Sequence, residues 1–132
     1  MAPPMPWKTF APIDPDATYV VTITRLPLRR HWRIPMMGRW TARIVRELAR
    51  SDGLVGYSMK AYLLSKTFWT MSAWQSEEAQ RSFARSKTHR EAMAAIAPHM
   101  HPATIETSSA SGHDLPLTWR TVTSERRLRD RQ

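Results

Sequence analysis

Thr67-Phe-Trp-Thr-Met-Ser-Ala-Trp74 runs directly into Gln75-Ser-Glu-Glu78, and the junction between these two stretches decides how the chain folds. The first eight residues are rich in β-branched and aromatic side chains, which suit a pleated strand. Side chains alternate faces along a strand, so Trp69 and Trp74 take opposite faces; Trp74 shares its face with Thr70 and Ser72, Trp69 with Met71. The next four residues are a helix start. Ser76 can accept from the free amides of the first turn, and Glu77 and Glu78 stand where the helix dipole favours carboxylates. This helix is expected to run to about Arg85. Ser86 caps a second segment, Lys87–Ala97, which Pro98 ends.

Upstream, Leu54–Leu64 reads as a strand with Gly56 at a bulge or kink, and Ser65-Lys66 as a two-residue turn that makes a hairpin with Thr67–Trp74. Trp40, Ile44 and Leu48 recur every four residues with Val45 beside them, while Arg39, Arg43, Arg46 and Arg50 take another face. That period predicts an amphipathic helix from Arg39, closed by Gly53 in a left-handed cap. Leu28–Gly38 is read as a loop with a short turn near Pro35. Tyr19–Leu26 is a strand rich in β-branched residues, and Pro27 closes it. The first 18 residues hold five of the ten prolines and are expected to form an extended arm. Downstream, Thr104–Ser109 is a fourth strand, Leu117–Val122 a candidate edge strand, and Ser124–Gln132 a charged tail. The expected division is an arm (residues 1–18), one domain (19–122) and a tail (123–132).

The resulting order is β-α-β-β-α-β, the ferredoxin-like plan of the α+β class, with a four-stranded antiparallel sheet and both helices on one face. The other face would be left bare and apolar, which predicts a homodimer packed sheet against sheet. An apolar chamber is expected between sheet and helices.

Composition narrows the function classes. The chain of 132 residues has no cysteine, which excludes a disulfide framework, a thiolate metal site and a cysteine nucleophile. No apolar run reaches the roughly 18 residues of a membrane span, and the start lacks the pattern of a signal peptide, so a cytoplasmic location is expected. The net charge of +9 is concentrated in residues 25–50, where eight arginines face one glutamate. This is read as a solvated face rather than a nucleic-acid surface. Four scattered glycines leave no phosphate-cradling loop.

The stretch from Phe68 to Ala79, continued by Phe83, Ser86 and His89, resembles the antibiotic biosynthesis monooxygenase superfamily of dimeric α/β barrels. The resemblance rests on a strand ending in Ser-x-Trp, a Ser-Glu-Glu-Ala helix start, an aromatic residue on that helix, and Ser-x-x-His opening the next. It covers about residues 19–109 and is closest to an uncharacterised bacterial branch compared with spheroidene monooxygenase. It implies the dimeric barrel fold but spans several chemistries, among them cofactor-free monooxygenation and haem degradation. In the haem-degrading branch a tryptophan, a histidine and an asparagine hold the haem; the corresponding places here are Phe83, Ala92 and Thr22, and none matches.

His89 is the best candidate for chemistry. It shares a helix face with Ala92, Met93 and Ile96, and so points inward, where it could act as a general base or an iron ligand; the alternative is a histidine bonded to nearby backbone. Trp74, Phe83, Met93, Trp69, Trp40 and Thr22 are the candidate pocket residues, each equally suited to core packing. His99 and His101 would need a third ligand, such as Glu106 or His113, to hold a metal. Arg29, Arg30, His31 and Arg33 form a cationic loop. The expected function is a cofactor-independent monooxygenase, or related tailoring enzyme, on a small apolar polycyclic or isoprenoid substrate. A haem protein using His89 and a non-catalytic dimeric ligand-binding module are the alternatives.

Overall fold

The computed structural model describes residues 7–116 and Trp119. The elements, in chain order, are β1 (Lys8–Thr9), β2 (Thr18–Pro27), α1 (Ile34–Ala49), β3 (Leu54–Tyr62), β4 (Thr67–Trp74), α2 (Glu77–Ala84), α3 (Lys87–Ile96) and β5 (Thr104–Ser111), with short 3-10 turns at His31–Arg33, Ala97–His99 and Gly112–Asp114. The sheet is antiparallel in the order β1-β3-β4-β2-β5. Without β1, that is the strand order of a ferredoxin-like sheet. It has five strands rather than the expected four because two residues of the arm pair with the β3 edge, Lys8 opposite Tyr57 and Thr9 opposite Gly56.

The local signals around the deciding junction hold. Ser76 Oγ accepts from the Ala79 amide at 3.1 Å and Ser86 Oγ from the His89 amide at 3.2 Å, so both caps form. Gly53 takes φ +83°, and the register shifts between Leu54 and Gly56 as a bulge would require. Three boundaries differ. Helix α1 begins at Ile34, because a proline in the first turn lacks only an amide that has no intrahelical partner anyway; Pro35 lies in the first helical turn instead of inside a loop running to Gly38. The β3–β4 turn takes four residues, Leu63–Lys66, with Lys66 at φ 56°, which leaves Leu63 and Leu64 outside the strand. Strand β5 continues to Ser111. The expected edge strand Leu117–Val122 lies outside the described residues apart from Trp119, as does the tail.

The largest departure concerns the sheet face turned away from the helices. Tyr19, Val21, Ile23, Val55, Met71 and Ala73 form one buried cluster there with Leu115, and Trp7, Ile13, Trp69 and Trp119 pack against it. The face expected to be bare is therefore covered by the chain itself, and the argument for a homodimer drawn from a bare face falls away. Glycine makes this possible at two places. A Cβ on Gly56 would stand 2.5 Å from three indole atoms of Trp7, and one on Gly112 would collide with the carbonyl of Asp14. Trp119 is held by its indole N–H, which donates to Ser58 Oγ at 2.9 Å, and stands edge-on to Trp69. Lys60 Nζ lies 4.7 Å from the Trp119 ring, 5.4 Å from Trp69 and 4.9 Å from Tyr62, so one ammonium joins three aromatic faces.

Candidate functional site

The helix-facing side of the sheet is built from residues two apart on each strand. Register sets Thr22 of β2 opposite Ser72 of β4, and Ser72 opposite Tyr57 of β3; one step along, Thr24 faces Thr70 and Thr70 faces Met59. A band of hydroxyls thus crosses the middle of the sheet under the helices. On either side lies an apolar cluster. One holds Leu26, Leu28, Met37, Ala92, Ile96 and Met100, with Trp40, Phe68 and Met93 against it. The other holds Leu48, Leu54, Tyr57, Met59 and Trp74, with Val20, Ala79 and Phe83 against it. Ile44 touches both.

Thr24, Thr70 and Ser72 keep part of their surface open, although they lie on the two inner strands of a helix-covered face, whereas Ile23, Met71 and Ala73 beside them on the opposite face are buried. The helix layer therefore does not close over the hydroxyl band. The chamber expected to be apolar has apolar flanks and a polar floor. Thr22 is 7% exposed, and its hydroxyl has no hydrogen-bond partner. Ser72 Oγ accepts from the Trp74 indole N–H at 2.9 Å, which leaves the serine proton free to donate elsewhere.

From this floor a chain of rings leads to His89. The Trp74 ring, 0% exposed, lies 5.3 Å from Phe83, and the Phe83 ring meets His89 edge-on at 5.1 Å. The Ser86 cap fixes where α3 starts and so carries His89 onto Phe83. Burial lowers the His89 pKa from its ordinary value of 6.5, and a smaller opposing effect comes from a hydrogen bond to the Ala84 backbone at the end of α2. An imidazole N–H donating to that carbonyl leaves the other ring nitrogen with its lone pair, so His89 is a neutral base near pH 7. Burial raises the Tyr57 pKa, and its phenol stays protonated.

Of the residues singled out in the sequence, Trp74, Phe83 and His89 meet, and Thr22 stands opposite the serine that holds Trp74. Met93 and Trp40 belong to the other apolar cluster. Trp69 is on the far face of the sheet, as the odd spacing of the two tryptophans requires. Tyr57, Thr24 and Thr70 were not singled out; alternation along Thr67–Trp74 sets Thr70 and Ser72 on the face of Trp74, while Tyr57 and Thr24 join that face through the strand register. Two clefts open between the helices. One, of about 640 Å³, is lined by Gly53, Ser76, Ala79 and Phe83 among others, the second, of about 590 Å³, by Trp40, Arg43, Arg46 and Glu91. Neither is lined by His89, Trp74 or Thr22, although Phe83, which lines the first cleft, touches both His89 and Trp74.

Among the described residues no three His, Asp or Glu side chains converge as a metal site. Phe83 bridges His89 and Trp74, touching one ring on each side.

This architecture defines an α+β, ferredoxin-like protein with a band of hydroxyls on the helix side of its sheet. No known family profile matches the chain, and no curated protein matches it by sequence. Solved structures do match in fold. A protein from Nitrosomonas europaea assigned to the antibiotic biosynthesis monooxygenases superposes with a TM-score of 0.65 at 13% identity, over 76% of this chain and 93% of its own. A mutant of SnoaB, a cofactor-independent oxygenase from Streptomyces nogalater, gives 0.56 at 15% identity, over 76% and 96%. Rv0793 from Mycobacterium tuberculosis gives 0.59 at 18% identity, over 68% and 92%. The chain thus has the fold of antibiotic biosynthesis monooxygenase-type proteins. No helix among the described residues is long and apolar enough to cross a membrane.

Proposed function

We propose that this chain is a cofactor-independent oxygenase that acts on an apolar, polycyclic or isoprenoid substrate carrying an acidic C–H or phenol. The observation that carries the reading is His89: a neutral imidazole, its pKa lowered by burial, edge-on to Phe83, whose ring packs on Trp74. The fold of SnoaB, a cofactor-independent oxygenase, supports the same reading.

In this reaction His89 removes a proton from the substrate carbon, and the electron pair left behind is delocalised into the substrate rings. The carbanion reduces O₂ by one electron, the radical pair joins to form a C–O bond, and the peroxide takes back the proton. Loss of water then leaves a carbonyl, so that R₂CH₂ + O₂ gives R₂C=O + H₂O. The Phe83 ring beside His89 excludes water from the carbanion.

The test is oxygen uptake with anthrone, a tricyclic ketone with an acidic methylene, and with a panel of phenolic polycycles. His89→Ala should cut turnover by about 10²–10⁴-fold, the usual contribution of a positioned base. Equal turnover in a folded variant would remove His89 from the chemistry. The hydrogen bond to Ala84 favours a second reading, in which His89 straps α3 to the end of α2. In that case the same variant melts earlier and oxidises as fast as the parent.

A further inference from the structure

Three segments meet at the end of the sheet where β2 leads into α1. The Leu28 amide donates to the Lys66 carbonyl at 2.8 Å, and His31 Nε2 lies 3.3 Å from the Leu64 carbonyl, so the turn at His31–Arg33 packs on the β3–β4 turn. The Arg29 amide donates to the His99 carbonyl at 2.9 Å, and its Nε to the Met100 carbonyl at 3.0 Å, which brings the segment after α3 to the same end. This tip carries large apolar side chains without cover: Trp32 is 67% exposed, Leu64 87% and Leu63 42%.

Cations surround them. Arg29, Arg30, Arg33 and Lys66 belong to the tip, and residues 28–33, 63–66 and 98–103 include neither Asp nor Glu. The Arg33 guanidinium lies 4.0 Å over the Trp32 ring, so the exposed indole carries a charge on its face. One exposed leucine is ordinary, but two leucines and a tryptophan on adjoining turns, among segments that carry cations and no carboxylate, form a patch with a chemistry. A nucleic acid would engage the arginines and stack on the indole but has no use for Leu63 and Leu64. A bilayer surface uses all of them: leucines reach the acyl boundary, the indole sits at headgroup depth, and cations meet anionic headgroups.

We propose that this tip docks the protein on the surface of an anionic lipid bilayer, with Trp32, Leu63 and Leu64 entering the interface and Arg29, Arg30, Arg33 and Lys66 on the headgroups. The chain then lies on the membrane, and none of its described helices crosses it.

Co-sedimentation with vesicles tests this. The full chain should pellet with phosphatidylcholine vesicles that contain about one-third phosphatidylserine, much less with phosphatidylcholine alone, and less at high salt. Trp32→Ala with Leu64→Ser keeps every charge and should weaken binding by about tenfold or more, since the apolar contact is lost. Arg30→Ser should weaken it by about fivefold, one headgroup cation. Failure to bind the phosphatidylserine vesicles would overturn the proposal. So would binding that the Trp32/Leu64 variant leaves unchanged, which would reduce it to the net charge of the chain. Retention of a single-stranded oligonucleotide by the parent, weakened by Trp32→Ala and without vesicle binding by the parent, would assign the tip to nucleic acid instead.

Discussion

Replacing Gly56 by alanine puts a methyl group 2.5 Å from three atoms of the Trp7 indole, closer than carbon atoms approach. Trp7 cannot swing away without leaving the apolar cluster it caps. A fully buried tryptophan removes about 150–250 Å² from water, and at about 25 cal/mol per Å² a half-buried one contributes roughly 2–3 kcal/mol. The indole N–H is buried with no partner, which takes back about 1 kcal/mol. Gly56→Ala and Trp7→Ala should therefore each cost about 1–2 kcal/mol, or roughly 4–7 °C in melting temperature. In the Trp7→Ala background nothing remains for the methyl group to strike. There Gly56→Ala should be neutral or stabilising by about 0.5–1 kcal/mol, since alanine suits a strand better than glycine. Thermal or urea unfolding of the four proteins gives the coupling, expected at about 2 kcal/mol. Costs that simply add would show that Trp7 does not sit on Gly56, and the account of the covered sheet face would fail.

Three further outcomes follow from the same geometry. A chain beginning at Thr18 loses the cover over Val21, Ile23, Val55 and Met71 and should self-associate more strongly than the full chain in sedimentation equilibrium; equal association would mean the arm shields nothing. Ser86→Ala removes the acceptor for the His89 amide and should cost about 1 kcal/mol in urea unfolding, while Ser86→Asp, which can still cap, should cost much less. Stability should also depend on pH through His89. Its folded pKa lies below the unfolded value of 6.5, so the unfolded chain binds the proton first and stability falls as pH drops below about 6.5, down to the lowered folded pKa. His89→Gln should flatten that part of the stability profile, and an unchanged slope would place the titration elsewhere.

Much of the fold was legible because its signals are local. The caps at Ser76 and Ser86, the left-handed Gly53 and the Gly56 bulge each involve residues within one turn of one another, and all four formed. Pro35 misled because the same fixed φ suits a loop and a first helical turn, and only the packing of Ile34 and Met37 against the sheet decides between them. The covered face was not legible. Trp7 meets Gly56 across 49 residues and Trp119 meets Ser58 across 61, and neither period nor composition reports contacts at that range. The site falls between these cases. Alternation alone puts Ser72 and Trp74 on one face, but that Thr22 of the neighbouring strand joins them, and which hydroxyl is left unpaired, depends on the register between strands.

The dependence of oxygen-uptake rate on pH, measured on the parent and on His89→Gln with the same acidic-methylene substrate, bears most directly on the chemistry. If a neutral His89 takes the substrate proton, kcat/KM of the parent falls on the acid side with a midpoint below 6.5, and that limb disappears along with most of the rate in the variant. An identical acid limb and rate in both proteins would contradict it.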